Sequence, residues 1–356
     1  MKSLDTMSAM KAIDPKNVLG SIDLFPDQCQ QAWDDVAKLT FPKEYASADS
    51  ILIAGMGGSR FTPRTIKEYC FGELTVPYEI TDDYRTPGFV GKNTLVILSS
   101  YSGTTEEVLT IGKEALKRGA MVTGVMAGGA IGAFLTENHL PYYAFNPKNN
   151  PSGQPRIGGG YLLLGHLALL SKLGYIPDQT TIVQTAIKEA RKYAALVSAD
   201  VPEAQNPAKQ LARTLLGTHP FLVVSEFLRG WINGFANQIN ETAKMISDFR
   251  YVPELNHHLM EGLKRPETLH ENGLFVFFRS DLYSPQIQKR FDITKTVVEK
   301  QQVKTLDINM TGSTPFSQIL MGNVLGSYTT FYMAMLTDTD PVAIPWVDYF
   351  KKELSK

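Results

Sequence analysis

Three stretches in the first third of the chain are apolar without alternation: "SILIAGM" at 50–56, "TLVILSS" at 94–100 and "AMVTGVMA" at 120–127. A strand with one wet face alternates polar and apolar residues, so continuous apolar runs imply burial on both faces. The segments between them read as helices, "PRTIKEYCF" at 63–71 and "TEEVLTIGKEALKRG" at 105–119, the latter closed by Gly119. With "VPYEITDD" at 76–83 as a further strand, the pattern demands a parallel sheet covered by helices on both sides.

The pattern then pauses and restarts. Residues 161–199 read as two helices, "YLLLGHLALLSKLG" and "TIVQTAIKEARKYAALVSA". From 207 onward come the helix "PAKQLARTLL", the strand "FLVVSE", a long helix over roughly 228–243, the strand "GLFVFF", the helix "SPQIQKRFDITKTVVEK" and the strand "VKTLDI". The apolar helix "FSQILMGNVLGSYTTFYMAML" follows, then a Pro-punctuated tail, "DPVAIPWVDYFKKELSK". This places an N-terminal helical segment at 1–48, a first α/β unit at 49–177, a connecting helix at 178–204, a second unit at 205–340 and a tail helix at 341–356.

Length and charge narrow the function. A chain of 356 residues accommodates two ordinary domains. Its net charge of −1 steers it toward neither nucleic acid nor an anionic membrane, so an anionic ligand must be met by local groups. Cys29 and Cys70 form no CxxC pair and read as reduced thiols, which points to the cytoplasm. No signal-peptide core or membrane span is expected. The six histidines include no HExxH, and neither cysteine neighbours one, so no metal is expected.

"SSYSGTTEE" at 99–107 sits at the carboxyl end of a strand and immediately before a helix, where open parallel sheets bind ligands. Ser100, Ser102, Thr104 and Thr105 offer hydroxyl donors, and Gly103 lets the backbone approach closely, a set suited to a phosphate at a helix N-terminus. The competing reading is a capping box from Thr104 to Glu107, for which one hydroxyl would suffice. A second turn, "GMGGSR" at 55–60, presents Gly57, Gly58 and Ser59. Arg60 stands where a dinucleotide fingerprint needs its last glycine, and no Gly-Lys-Ser/Thr follows, so neither a nicotinamide cofactor nor a Walker loop is expected.

Together, "GMGGS", "SYSGTTEE" and the restarting halves resemble the sugar isomerase (SIS) domain, and later segments resemble its bifunctional phosphoglucose/phosphomannose isomerases. "PSGQPRIGGGYLLLG" is similar to their "PPRAALGY" region, "NQINETAKMISDFRYVPELNHHLMEG" to "QLNENAK…ELNHNEIVG", and "DPVAIPWVDYFKKEL" to "DPTPVxxIxxLKxxL". The resemblance implies two three-layer SIS-type α/β domains with parallel sheets and a C-terminal helical tail. It implies aldose–ketose isomerisation of glucose 6-phosphate and fructose 6-phosphate without a cofactor, and leaves open mannose 6-phosphate as well. By the same resemblance Glu241 moves the proton between C2 and C1, His257 and Lys351 open the ring, and Arg156 stabilises the enediolate. The phosphate falls to Ser59, Ser100, Ser102 and Thr105, and His257 is supplied across a homodimer interface. His257 is chosen over His258 because "ELNH" matches without a gap. The chain departs from the family pattern at "RIGGG" and "SRFTP", which bears on substrate preference. An SIS-type deglycase or deaminase of amino-sugar phosphates and a non-catalytic phosphosugar sensor remain the alternatives. No basic DNA-reading segment precedes the SIS units to favour a transcriptional sensor.

Overall fold

The computed structural model describes residues 3–354; residues 1, 2, 355 and 356, at the outer ends of the first and last segments named above, lie outside the described residues. The first sheet is built from β1 (Ser50–Gly55), the helix α1 (Gly58–Tyr69), β2 (Tyr78–Thr81), β3 (Thr94–Ser100), the helix α2 (Glu106–Lys117), β4 (Met121–Met126) and β5 (Tyr143–Ala144). Its strands are all parallel and lie in the order β2-β1-β3-β4-β5. The unbroken apolar runs have the expected cause. Ile51, Ile53, Leu95 and Ile97 pack into one hydrophobic core, while Leu52, Ala54, Val96 and Leu98 pack into another on the opposite face.

Two helices follow, α3 (Gly159–Lys172) and α4 (Thr180–Val197). The second sheet comprises β6 (His219–Val224), the helix α5 (Arg229–Glu241), β7 (Asp248–Tyr251), β8 (Gly273–Arg279), the helix α6 (Pro285–Lys300) and β9 (Lys304–Asn309). It is also parallel, in the order β7-β6-β8-β9. The helix α7 (Pro315–Leu336) buries all but a few of its residues, and the chain ends in α8 (Pro345–Leu354), none of whose residues is buried.

The expected strands and helices are present, together with further elements that the sequence pattern did not mark. The helix Gly129–Glu137, the two-residue β5 and the edge strand β7 carry too short or too mixed a pattern to announce themselves. No helix among the described residues is long and apolar enough to cross a membrane. What positions a site is the order of the first sheet. The winding reverses between β1 and β3, so a crevice opens beyond their carboxyl ends.

Candidate active site

The crevice at that switch point is a cleft of about 220 Å³. Met56, Gly58 and Ser59 enter it from the turn after β1, and Ser100, Tyr101, Ser102 and Thr105 from the loop after β3. Pro155 and Arg156 come from the short 3-10 helix Pro155–Ile157, Glu241 from the last position of α5, and Lys351 from α8. Eight of the residues singled out from sequence thus line one cavity: Gly58, Ser59, Ser100, Ser102, Thr105, Arg156, Glu241 and Lys351.

The hydroxyl loop is internally ordered. The Ser100 and Thr105 hydroxyls lie 2.8 Å apart, the Gly103 N–H donates to Ser100 Oγ at 3.0 Å, and Ser102 pairs with Thr104 at 2.8 Å. The capping-box reading does not hold. The residue before α2 is Thr105, whose side chain makes no cap bond, and Thr104 is engaged with Ser102. The first turn of α2 therefore keeps its amide donors and its positive dipole end for a ligand. Ser59 Oγ accepts the Tyr101 N–H at 3.0 Å, and among the described residues nothing accepts the Ser59 hydroxyl proton.

The glycines are required by geometry. Gly103 has φ +71°, and a Cβ there would lie 1.7 Å from the Gly128 carbonyl oxygen. Gly57, at φ +50°, opens the first turn, and a Cβ there would meet nothing within 4 Å. Neither lines the cleft with a side chain; both shape the backbone that does.

Arg156 is the most constrained side chain of the site. It is buried, and its Nε donates to Thr242 Oγ1 at 3.3 Å. One terminal nitrogen reaches Gln154 Oε1 at 3.3 Å and stands 3.8 Å from Glu241 Oε2; the other donates to the Pro341 and Val342 carbonyls at 2.5 and 2.9 Å. Burial pulls its titration downward, opposed by Glu241 and Asp340, but an arginine stays charged throughout. One guanidinium therefore clasps the C-terminal segment that carries Lys351 and faces the carboxylate of α5. Gln238, one turn before Glu241, completes the junction by donating to the Arg156 carbonyl at 3.3 Å.

Three residues sit apart from the cleft. His257 ends the short helix Glu254–His257, is exposed and does not line the cavity. Its neighbour His258 is 2.9 Å from Glu254 Oε2. Arg60 turns away to an ion pair with Asp82, Nε to Oδ2 2.7 Å. Sequence reasoning missed Tyr101, whose hydroxyl accepts from Asn150 at 2.6 Å, and Lys244, which donates from its ammonium to the Glu241 carbonyl. Tyr101 lies within the quoted hydroxyl loop, so its place was readable from sequence; nothing local announces the Lys244 contact. Among the described residues no group of three or more His, Cys, Asp or Glu side chains could hold a metal ion.

Comparison with known proteins places the chain among phosphosugar isomerase relatives. Residues 204–354 match the bacterial phospho-glucose isomerase C-terminal SIS domain. A bifunctional phosphoglucose/phosphomannose isomerase from Caldicellulosiruptor bescii is 28% identical over 342 residues, covering 94% of this chain and 98% of that protein. Among solved structures, a hypothetical protein from Thermus thermophilus superposes with TM-score 0.73 at 18% identity, over 98% of this chain and 93% of that one. A glucosamine-6-phosphate deaminase from Thermotoga maritima superposes with TM-score 0.61 at 14% identity, over 92% and 97%. Likeness at such identities establishes the fold alone, and the fold serves more than one chemistry.

Proposed function

We propose that this chain, a two-SIS-domain protein resembling the bifunctional phosphoglucose/phosphomannose isomerases over nearly its whole length, interconverts glucose 6-phosphate and fructose 6-phosphate, with mannose 6-phosphate as a further aldose. The observation that carries this reading is one cleft. It joins a hydroxyl-rich helix N-terminus to a carboxylate, an arginine and a lysine drawn from three distant segments. Ser59, Ser100, Ser102, Thr105 and the first amides of α2 hold the phosphate. Glu241 removes the C2 proton of the open-chain aldose and returns it to C1, while the proton on O2 is lost and one is gained on O1. Arg156, fixed beside Glu241, bears on the negative charge of the enediolate between those steps. With most of its N–H groups committed to the protein, it acts as a placed charge rather than as a free fork.

Ring opening needs one group to protonate O5 and another to take the O1 proton. Lys351 is at the cleft; no histidine is. We assign the second role to His257 of a neighbouring copy in a homodimer. The exposure of His257 supports this, as does the uncovered apolar side of α8, where Trp346, Phe350 and Leu354 are 81%, 63% and 67% exposed. Cys29 and Cys70, both free and buried, fit a cytoplasmic protein.

The test is a coupled assay of the purified protein on glucose, mannose and fructose 6-phosphates, run alongside glucosamine 6-phosphate. Interconversion without release of an amine is the expected outcome. Turnover of the amino sugar alone makes the chain a deaminase, and binding without turnover makes it a sensor. Glu241→Ala mixed and re-equilibrated with His257→Ala should partly recover activity, because a hybrid dimer retains one complete composite site. No recovery would mean that each site is built within one chain.

A further inference from the structure

The helix α5 ends at Glu241, and the chain leaves it through Thr242, Ala243 and Lys244. The exit is conformationally demanding. Lys244 holds φ +56°, in the left-handed region that residues with a Cβ seldom adopt. From that position its ammonium donates to the backbone carbonyl of Glu241 itself. This carbonyl belongs to the last turn of α5, where carbonyls have no partner within the helix and a cation meets the negative end of the dipole.

We infer that Lys244 is a positioning residue for the isomerisation: by docking on the Glu241 carbonyl it fixes the backbone that carries the proton-transferring carboxylate, and it adds a second cation to the Arg156 side of the cleft. The inference rests on the reading of Glu241 as the proton carrier. Each packed element contributes a charge here. Arg156 comes from the 3-10 helix, Lys351 from α8, Asp340 from the segment before α8, and Lys244 from the end of α5. The Lys244 residue as a whole is exposed, yet its ammonium lies within electrostatic reach of Arg156, Asp340 and Glu241. Burial and then the Arg156 guanidinium hold that ammonium below the ordinary lysine range, against the pull of Asp340 and Glu241. It therefore loses its charge earlier than a free lysine as the pH rises.

The experiment compares wild type, Lys244→Met, Lys244→Arg and Lys244→Gly in fructose 6-phosphate isomerisation, with kcat and KM resolved across pH. Lys244→Gly suits the left-handed backbone and guards against a variant that merely fails to fold. Misplacing a reacting group by a fraction of an ångström costs about tenfold or more in rate. Lys244→Met and Lys244→Gly are expected to lose about that factor in kcat with KM little changed, and Lys244→Arg to restore most of it. Because arginine stays charged, Lys244→Arg should also carry the alkaline limb of kcat to higher pH, which a purely structural role would not do. A wild type that turns over no hexose phosphate overturns the isomerase reading and this inference with it. An active wild type whose Lys244→Met kcat is undiminished, or whose alkaline limb Lys244→Arg leaves in place, overturns this inference alone.

Discussion

The two halves of the molecule share a plan and differ at the one place where a ligand would sit. In the first, β1 ends at Gly55 and the residue two positions on, Gly57, takes φ +50° with open space before it. In the second, β6 ends at Val224 and the residue two positions on, Glu226, takes φ +42°. Its carboxylate accepts the Ser284 N–H at 3.2 and 3.3 Å and the Ser284 hydroxyl at 2.7 Å, just before α6 begins at Pro285. The turn after the first strand thus leaves open space in the first half, whereas in the second it carries a built-in carboxylate to the start of α6. The surrounding charge agrees. The first cleft has two cations, Arg156 and Lys351, against Glu241. In the second half, the cavity beyond β8 and β9 and beside α6 has Arg279 against Asp281 and Asp292. On the proposed reading the first half supplies the anion site and the second a scaffold, from which α5 carries Glu241 into the cleft.

The largest expected effect tests that division directly. Glu241→Gln should lower isomerisation by about 10²–10⁴-fold with little change in ligand affinity, because it keeps the shape but cannot accept the proton. Deuterium from the solvent should enter C2 of the aldose product with the wild type and not with the variant. Undiminished turnover would remove Glu241 from the chemistry and make another carboxylate, such as Glu254, the candidate.

Next in size is a difference in acid sensitivity. His166 in α3 of the first half is fully buried, and burial depresses it from 6.5 to about 4, opposed by its bond to the Leu162 carbonyl. Between those values the unfolded chain binds the proton and the folded one does not, so stability is lost as the pH falls from about 6.5 to about 4, by roughly 3 kcal/mol at most. In the second half burial works to raise Asp307, but Lys295 and Arg279 hold it below the ordinary carboxylate range. Its contribution is present above the usual carboxylate pKa and is lost only on further acidification. Hydrogen exchange corrected for intrinsic rates should show β3 losing protection before β8 on acidification, and His166→Leu should abolish the early loss. Simultaneous loss in both sheets would mean that the halves unfold as one unit.

Ser102→Ala should weaken 6-phosphogluconate binding by about 1.5–3 kcal/mol, the value of one hydrogen bond to a charged group, with the melting temperature unchanged. Unaltered affinity by calorimetry would reduce the loop to a structural turn. The smallest effect is expected at the second turn. Glu226→Gly removes the internal carboxylate but relieves the left-handed backbone, so a net loss of about 1 kcal/mol is expected. Phosphate stoichiometry should remain one per chain, because Asp281 and Asp292 line the neighbouring cavity and Pro285 offers no N–H. A second equivalent of phosphate would break the comparison and make the two turns interchangeable.

The amino-acid sequence by itself determined the parallel sheets and the hydroxyl loop. Their causes are local: unbroken apolar runs, and hydroxyls within a few residues of a helix start. It also carried the resemblance by which Glu241, His257 and Lys351 were singled out. It did not contain the commitment of Arg156, whose partners Thr242 and Pro341 lie 86 and 185 positions away. Nor did it mark Glu226 as an internal anion or Lys244 as the partner of the Glu241 carbonyl. "SEF" and "TAK" look like ordinary loop residues until the helices that meet them are in place. Spacing along the chain constrains only a few neighbouring residues. The meeting of the 3-10 helix, α5 and the tail is decided by how the helices and sheets of both halves pack, and only the tertiary structure expresses that sum.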